Sequence, residues 1–147
     1  MKMNSILIKR RNRNVIKIEE IKKIEIVLKK KLPNELIQFL MKYSDCTLFE
    51  CFYQKEGIYT MPGYIVGVSD KNPNIFDLIE GNIFYNDIDW LPFACDYGGW
   101  VFNVSLSEKT YGEVWINKFD SGEKNPFEFV SSSLEEFING LKRVEDI

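Results

Sequence analysis

Apolar residues near the amino terminus recur every three or four positions, which is the period of an α-helix. The predicted helix begins near residue 16, and one of its faces collects four apolar residues: Ile18, Ile21, Ile24 and Leu28. Pro33 ends this helix and starts a second one, because proline is tolerated at the first helical position. The buried stripe of the second helix is predicted to hold Leu36, Ile37, Leu40 and Tyr43.

Beyond Tyr43 the apolar period shortens to two or becomes continuous, which is typical of β-strands. The predicted strands cover residues 47–54, 64–68, 91–95, 100–106, 112–119 and 127–130. Gly98 and Gly99 predict a hairpin turn between two of them, because glycine reaches a positive φ without a steric penalty. We expect the next hairpin loop at residues 107–112.

Two more helices are predicted further along the chain. A short one is expected at residues 73–79, with Asn72 as its cap. In the last one, Ser132 and Glu135 have the spacing of a capping box. Its apolar face is formed by Leu134, Phe137, Ile138 and Leu141.

This order of elements predicts the α+β class. We expect a mainly antiparallel sheet of about five to six strands, with two amino-terminal helices and one carboxyl-terminal helix packed on one side or end. A length of 147 residues favours one domain that covers the whole chain. Residues 1–14 are predicted to be a basic, flexible segment with a short extended piece at 6–8.

Charge is distributed unevenly along the chain. Residues 1–42, the basic head, hold 12 Lys and Arg against 4 Glu, whereas residues 43–147, the acidic body, hold 7 against 18. This division predicts either two partners or one domain with oppositely charged faces. The sequence contains neither an apolar run suited to a secretory signal nor the roughly 20 apolar residues of a membrane span, so we expect a cytoplasmic protein without a membrane partner.

The chain contains no histidine, which removes imidazole-activated nucleophiles and His-ligated metals from consideration. Its three cysteines, Cys46, Cys51 and Cys95, form no Cys-x-x-Cys pair, so we expect reduced and mostly buried thiols. The sequence therefore predicts no catalytic residues, no metal and no cofactor.

Acidic and aromatic residues alternate in the segment that runs from residue 77 to residue 100. Carboxylates there would complement a cationic surface of a partner, and the rings would supply anchoring area. The simpler interpretation is a solvated loop beside core aromatics, and Trp90 and Trp100 are each expected in the core. The candidate protein-binding residues are Asp77, Glu80, Tyr85, Asp87, Asp89, Asp96 and Tyr97.

Two other functions have weaker support in the sequence. Asp87 and Asp89 would share a strand face, as the acid and base of a hydrolase require, but no nucleophile or phosphate motif accompanies them. The basic residues at 9, 10, 11 and 13 and the lysines at 29–31 would contact phosphates, although the acidic body would repel a polyanion. Nucleic-acid binding and hydrolysis are therefore the minor alternatives.

Several short motifs follow one another in order over about residues 16–143. They comprise Leu32, Pro33, Leu36, Phe39, Leu40, Pro92, Phe93, Ala94, Asp96, Gly98, Gly99, Gly112, Val114, Trp115, Ser133, Leu134, Phe137 and Ile138. Each motif is weak alone, but their order and spacing are fairly specific, and together they resemble the SUKH superfamily. The first 14 residues and the insert at 57–89 have no clear counterpart in the family.

The superfamily includes a yeast regulator of cell-wall synthesis and many bacterial immunity proteins. The resemblance implies a non-catalytic domain that binds a cognate toxin, often a nuclease, and blocks it by occlusion. The alternative is a generic regulatory or scaffold domain of the cell-wall regulator type. The toxin, the contact residues and the oligomeric state are not specified by the sequence.

Overall fold

The structure, a computed structural model, describes residues 7–11, 16–68, 74–81 and 89–146. The helices within these ranges are α1 (Ile18–Leu28), α2 (Asn34–Tyr43), α3 (Ile75–Gly81) and α4 (Leu134–Asn139). The first five strands are β1 (Ile8–Arg11), β2 (Cys46–Leu48), β3 (Cys51–Lys55), β4 (Ile58–Thr60) and β5 (Pro62–Ile65). The remaining strands are β6 (Trp90–Asp96), β7 (Val101–Ser105), β8 (Val114–Asn117), β9 (Phe127–Ser131) and β10 (Lys142–Arg143).

Seven strands form one large sheet in the order β1-β2-β5-β6-β7-β8-β9, and every neighbouring pair is antiparallel. A smaller sheet pairs β10, β3 and β4, also antiparallel. The α+β class and the antiparallel sheet are confirmed, although the described strands exceed the predicted five to six. Every residue of β7 and the inner residues of β6 are buried, which explains the continuous apolar run of β6 at 91–95.

Four phenylalanines from different elements form the centre of the core. Phe39 of α2 lies 5.9 Å from Phe93 of β6, and Phe137 of α4 lies 5.2 Å from Phe102 of β7, measured between ring centroids. All four side chains are buried, and each contributes about 1.5–3 kcal/mol relative to exposure. The core therefore joins α2 and α4 to the two central strands of the large sheet.

One prediction about the first half of the chain is wrong. The strand predicted at 47–54 is two strands in different sheets, since the chain leaves the large sheet after Leu48. At this exit the Phe49 N–H donates to the Leu7 carbonyl, and the Glu50 carbonyl accepts from Val144 N–H. These partners lie far along the chain, so the local sequence carries no sign of the break. In the amino-terminal segment, where a short extended piece was predicted at 6–8, residues 8–11 form β1, an edge strand paired with β2.

The helices agree with the pattern but differ at their ends. In α2, Phe39 is buried, whereas Ile37, predicted for the stripe, is only half-buried. The N-cap of α4 is Ser133, one residue after the predicted Ser132, because the Ser133 hydroxyl accepts the Glu136 N–H at 3.0 Å. Helix α3 begins at Ile75, and the predicted cap, Asn72, lies outside the described residues.

The insert at 57–89 also holds strands that the pattern placed differently. Strand β4 was not predicted, and β5 covers Pro62–Ile65, where the pattern favoured 64–68. Both strands are short: β4 follows Gly57, β5 begins with Pro62, and glycine and proline both have a weak strand preference. The alternation of apolar and polar residues over only three or four positions therefore did not define where these strands begin and end. Strand β5 connects the two halves of the large sheet, since it pairs with both β2 and β6.

Candidate protein-binding surfaces

The predicted acidic and aromatic cluster is not one surface in the described residues. Asp89 precedes β6, and Asp96 ends it, so seven steps along the strand separate them by about 23 Å at about 3.3 Å per residue. Asp77 and Glu80 are exposed on α3, which packs against β6. Tyr85 and Asp87 lie outside the described residues. The prediction that Asp87 and Asp89 share a strand face therefore also falls outside them.

Two of the predicted carboxylates are held by local structure. The Asp89 carboxylate lies 3.0 Å from the Lys30 ammonium, an ion pair that joins the acidic body to the basic head. Asp77 accepts the Asn74 N–H at 3.1 Å, and the Asn74 side chain accepts the Asp77 N–H at 3.0 Å. This reciprocal pair caps α3, so Asn74 performs the role predicted for Asn72.

Asp96 and Tyr97 occupy the turn that connects β6 to β7, as the two glycines predicted. The Asp96 carboxylate accepts the Trp100 N–H at 2.8 Å, and its carbonyl accepts the Gly99 N–H at 3.2 Å. Gly99 has a φ of +96°, which a residue with a Cβ rarely adopts. The turn therefore fixes Tyr97 at the tip, where 57% of the residue is exposed.

Tyr97 separates two hollows at this end of the large sheet. The first hollow, about 550 Å³, is lined by Lys9, Thr47, Leu48, Phe49, Glu50, Tyr97, Arg143, Val144 and Glu145. The second, about 270 Å³, is lined by Tyr59, Thr60, Met61, Asp96, Tyr97, Gly98, Trp100, Ile116 and Lys118. The Tyr97 ring rests against Gly63, where an added Cβ would lie 3.4 Å from ring atom Cδ1.

Charged groups and rings alternate around the second hollow. Lys118 lies 5.0 Å from the centre of the Trp100 ring, and the indole N–H of Trp100 donates to Asp120 at 2.5 Å. Tyr59 is 55% exposed and stacks on Phe52. Aromatic anchors with a charged margin are typical of protein-binding surfaces. We call the set Tyr59, Asp96, Tyr97, Trp100 and Lys118 the Tyr97 surface.

Sequence reasoning found only two members of the Tyr97 surface. Tyr59 lies in the insert at 57–89, where the family pattern offered no alignment. Trp100 was predicted in the core, and it packs against the core but is only half-buried. Lys118 joins the group because β8 lies beside β7, a pairing that residue order alone does not reveal.

A second aromatic group lies at the opposite end of β6. Trp90 stacks on Phe127 with ring centroids 4.4 Å apart and nearly parallel planes, and Trp115 meets Trp90 edge-on at 5.7 Å. The groove beside them, about 500 Å³, is also lined by Asp89 and Lys124. Strands β6 and β9 are separated by two other strands, so the large sheet curves enough to bring these rings together.

The three cysteines are free thiols and buried, as predicted. Burial raises the pKa of Cys51 to about 11 and also raises the pKa values of Cys46 and Cys95, so all three stay protonated near neutral pH. Among the described residues, no three Asp, Glu or Cys side chains gather closely enough to hold a metal ion. No helix in the described ranges combines the length and apolar character needed to cross a bilayer.

Comparison with family models gives one match. The model of the SMI1 / KNR4 family (SUKH-1) matches residues 16–140, which is most of the chain. The chain belongs to this family. The match begins just before α1 and ends just after α4, so it includes both core helices and the Tyr97 surface. No curated protein and no solved structure gives a significant match.

Proposed function

We propose that this SUKH-1 domain is a non-catalytic protein-binding domain that acts as an immunity protein in the bacterial cytoplasm. It binds a cognate toxin, for which a nuclease is the first candidate, and blocks the toxin by covering it. Family membership over residues 16–140 supports a protein partner. The observation that carries the choice of surface is Tyr97, an exposed ring between two hollows.

The Tyr97 surface is suited to binding for energetic reasons. The turn already fixes the Tyr97 backbone through Asp96, so little conformational entropy is lost when a partner covers the ring. The two hollows accept protruding side chains from the partner, and Lys118 and Asp96 at the margin favour one orientation. A complex of this kind buries about 1,200–2,000 Å² in total, more than the turn alone offers. The contact therefore extends beyond Tyr97 onto the neighbouring strands.

The experiment pairs the protein with the product of its neighbouring gene. Co-expression should protect cells from that product, and the two proteins should co-purify. Tyr97→Ala should weaken the complex by about 2 kcal/mol, roughly thirtyfold, as expected for a central anchor. Tyr111→Ala is the matched control, because Tyr111 is also an exposed tyrosine, 47% exposed, but lines neither hollow.

Three outcomes would contradict parts of the proposal. A lack of protection with any neighbouring product would remove the immunity role and favour a regulatory domain of the cell-wall regulator type. Equal losses for Tyr97→Ala and Tyr111→Ala would remove the Tyr97 surface but leave the immunity role. Turnover of a metabolite by the purified chain, unaffected by either substitution, would contradict a non-catalytic function.

A further inference from the structure

Helix α1 exposes two adjacent aliphatic side chains to solvent. Ile26 is 74% exposed and Val27 is 58% exposed, the two highest fractions among the large apolar residues described. The opposite face of the same helix is buried through Ile21 and Ile24, so the fold of the domain does not require an apolar residue at 26 or 27. Ordinary amphipathic helices place polar residues on this face.

Lysines flank both aliphatic residues along the helix. Residues at i, i+4 and i+7 follow one another on a helix surface, which places Lys22, Ile26 and Lys29 in one row. The neighbouring row contains Lys23, Val27 and Lys30 in the same spacing. All six residues are exposed, and we call them the α1 ridge. Each aliphatic side chain therefore has a cation about one turn before it and one turn after it.

Two acidic residues border the ridge: Asp89 forms the ion pair with Lys30 at 3.0 Å, and Glu25 is directed toward the helix end. The Glu25 carboxylate accepts the Leu32 N–H at 2.8 Å, which fastens the loop between α1 and α2. Lys29 ends the helix in the left-handed conformation, at φ 56° and ψ 39°, where glycine is usual. A lysine is less favourable than glycine at such a position, which is consistent with a role for its side chain.

We propose that the α1 ridge docks an acidic segment of a protein partner, with apolar residues between its carboxylates. Lys22, Lys23 and Lys29 would pair with the carboxylates, since Lys30 is already paired with Asp89. Ile26 and Val27 would be covered by the apolar residues between those carboxylates. Two aliphatic side chains are too little area for membrane insertion. A phosphate backbone would pair with the lysines but would leave the aliphatic residues uncovered.

The test uses a fluorescein-labelled synthetic helix with leucines on one face and glutamates on both sides of that face. Fluorescence anisotropy should detect binding to the full chain, weakening as salt rises from about 50 to about 300 mM. A matched peptide with glutamine in place of glutamate should bind at least about tenfold more weakly, since it keeps the apolar face and lacks the charge.

Variants of the chain then separate the two parts of the ridge. The double substitution Ile26→Gln with Val27→Gln should weaken peptide binding about tenfold, because glutamine keeps helix propensity and removes the apolar contact. Lys22→Gln with Lys29→Gln should weaken binding and flatten its salt dependence. Lys109→Gln is the control, as an exposed lysine elsewhere in the chain, and should change neither. Unchanged circular dichroism would confirm that the variants fold.

Several results would overturn the proposal. These are no binding of the acidic peptide, equal binding of the glutamine peptide, or no effect of the Ile26 and Val27 substitutions. Retention by phosphatidylglycerol vesicles without peptide binding would indicate a lipid surface, and retention by an RNA oligonucleotide would indicate nucleic acid. Self-association that the ridge substitutions abolish would indicate a second copy of the chain. Tyr97→Ala tests the proposed function at a different surface, so a negative result for the α1 ridge would not refute the Tyr97 surface, and the reverse also holds.

Discussion

Gly140 ends α4 at a point where the chain passes against a buried ring. A Cβ added there would lie 2.7 Å from Cε2 and 2.8 Å from Cδ2 of Tyr53, and 3.2 Å from the Glu136 carbonyl. The ring has little freedom to move, since Tyr53 is buried and packs against Phe137 with centroids 5.3 Å apart. Gly140→Ala therefore forces a shift of α4, of β3 or of both.

The direction of the stability change follows from two opposing effects. The backbone of Gly140 has φ −84° and ψ −8°, which alanine adopts readily, so the smaller entropy of the unfolded chain would stabilise the variant by about 0.4–1 kcal/mol. Overpacking a rigid contact costs about 1–3 kcal/mol. The steric cost is larger, and we expect a net loss of about 1–2 kcal/mol in the free energy of unfolding, or a fall of a few degrees in Tm.

Urea unfolding followed by tryptophan fluorescence measures this difference, since the chain has three tryptophans. Gly98→Ala is the matched control, because a Cβ there meets only Asp96 Oδ1 at 3.5 Å and the backbone lies outside the left-handed region. It should change stability by less than about 0.5 kcal/mol.

A double-mutant cycle identifies the contact responsible. In a Tyr53→Val background the ring is absent, so Gly140→Ala should be neutral or stabilising. If Gly140→Ala destabilises both backgrounds equally, the Tyr53 contact is not the cause. If it stabilises the otherwise unchanged protein, the steric reasoning itself is wrong, and this result does not depend on the Tyr53→Val protein folding.

Three further predictions concern buried and capping groups. The amide of Asn117 is buried with no hydrogen-bond partner among the described residues, so Asn117→Leu should raise the free energy of unfolding by about 1 kcal/mol in urea unfolding. The equally buried Asn103 side chain donates to the Val101 carbonyl at 3.0 Å, so Asn103→Leu should lower the free energy of unfolding. A higher free energy of unfolding for both leucine variants would contradict the argument. Hydrogen bonds from Lys55, which has the larger effect, and from Ser132 lower the pKa of Glu136 to about 2. In acid the unfolded chain therefore binds more protons at this position than the folded chain does. The stability advantage over Glu136→Gln should be full above about pH 5 and disappear as the pH falls toward 2, and a pH-independent difference between their urea midpoints would disprove it. Ser133→Ala removes the N-cap hydrogen bond of α4, so it should lower the free energy of unfolding by about 1 kcal/mol and lower Tm. An unchanged Tm would show that water replaces the lost hydrogen bond.

The helices were predicted correctly where apolar residues at helical spacing pack against the core. Ile21 and Ile24 of α1 are buried as the spacing of the apolar residues predicted, and so are Leu134 and Phe137 of α4. Helix caps were less predictable, because Ser132 and Ser133 are adjacent and each has a Glu three residues later. In the structure Ser133 is the N-cap, and the Ser132 hydroxyl donates to the Glu136 carboxylate instead.

The candidate site was predicted less well from the sequence than the helices were. Neighbouring positions in the sequence suggested one acidic and aromatic cluster, but Asp89 and Tyr97 lie at opposite ends of an extended strand. A strand separates residues by about 3.3 Å at each step, whereas a helix or loop would have kept them close. Tyr59 and Lys118 joined Tyr97 through strand pairing over long sequence distances, which periodicity does not encode.

The sequence by itself determined the α+β class, the main helices, the buried thiols, the turn at Gly98 and Gly99, and the family. These properties depend on local spacing, backbone freedom and residue type, all of which are written along the chain. Only the tertiary structure decided which strands share a sheet, where the chain leaves it after Leu48, and which side chains surround Tyr97. Those outcomes depend on contacts between distant segments, because hydrogen bonding across a sheet and packing against a common core select partners that no short window of sequence contains.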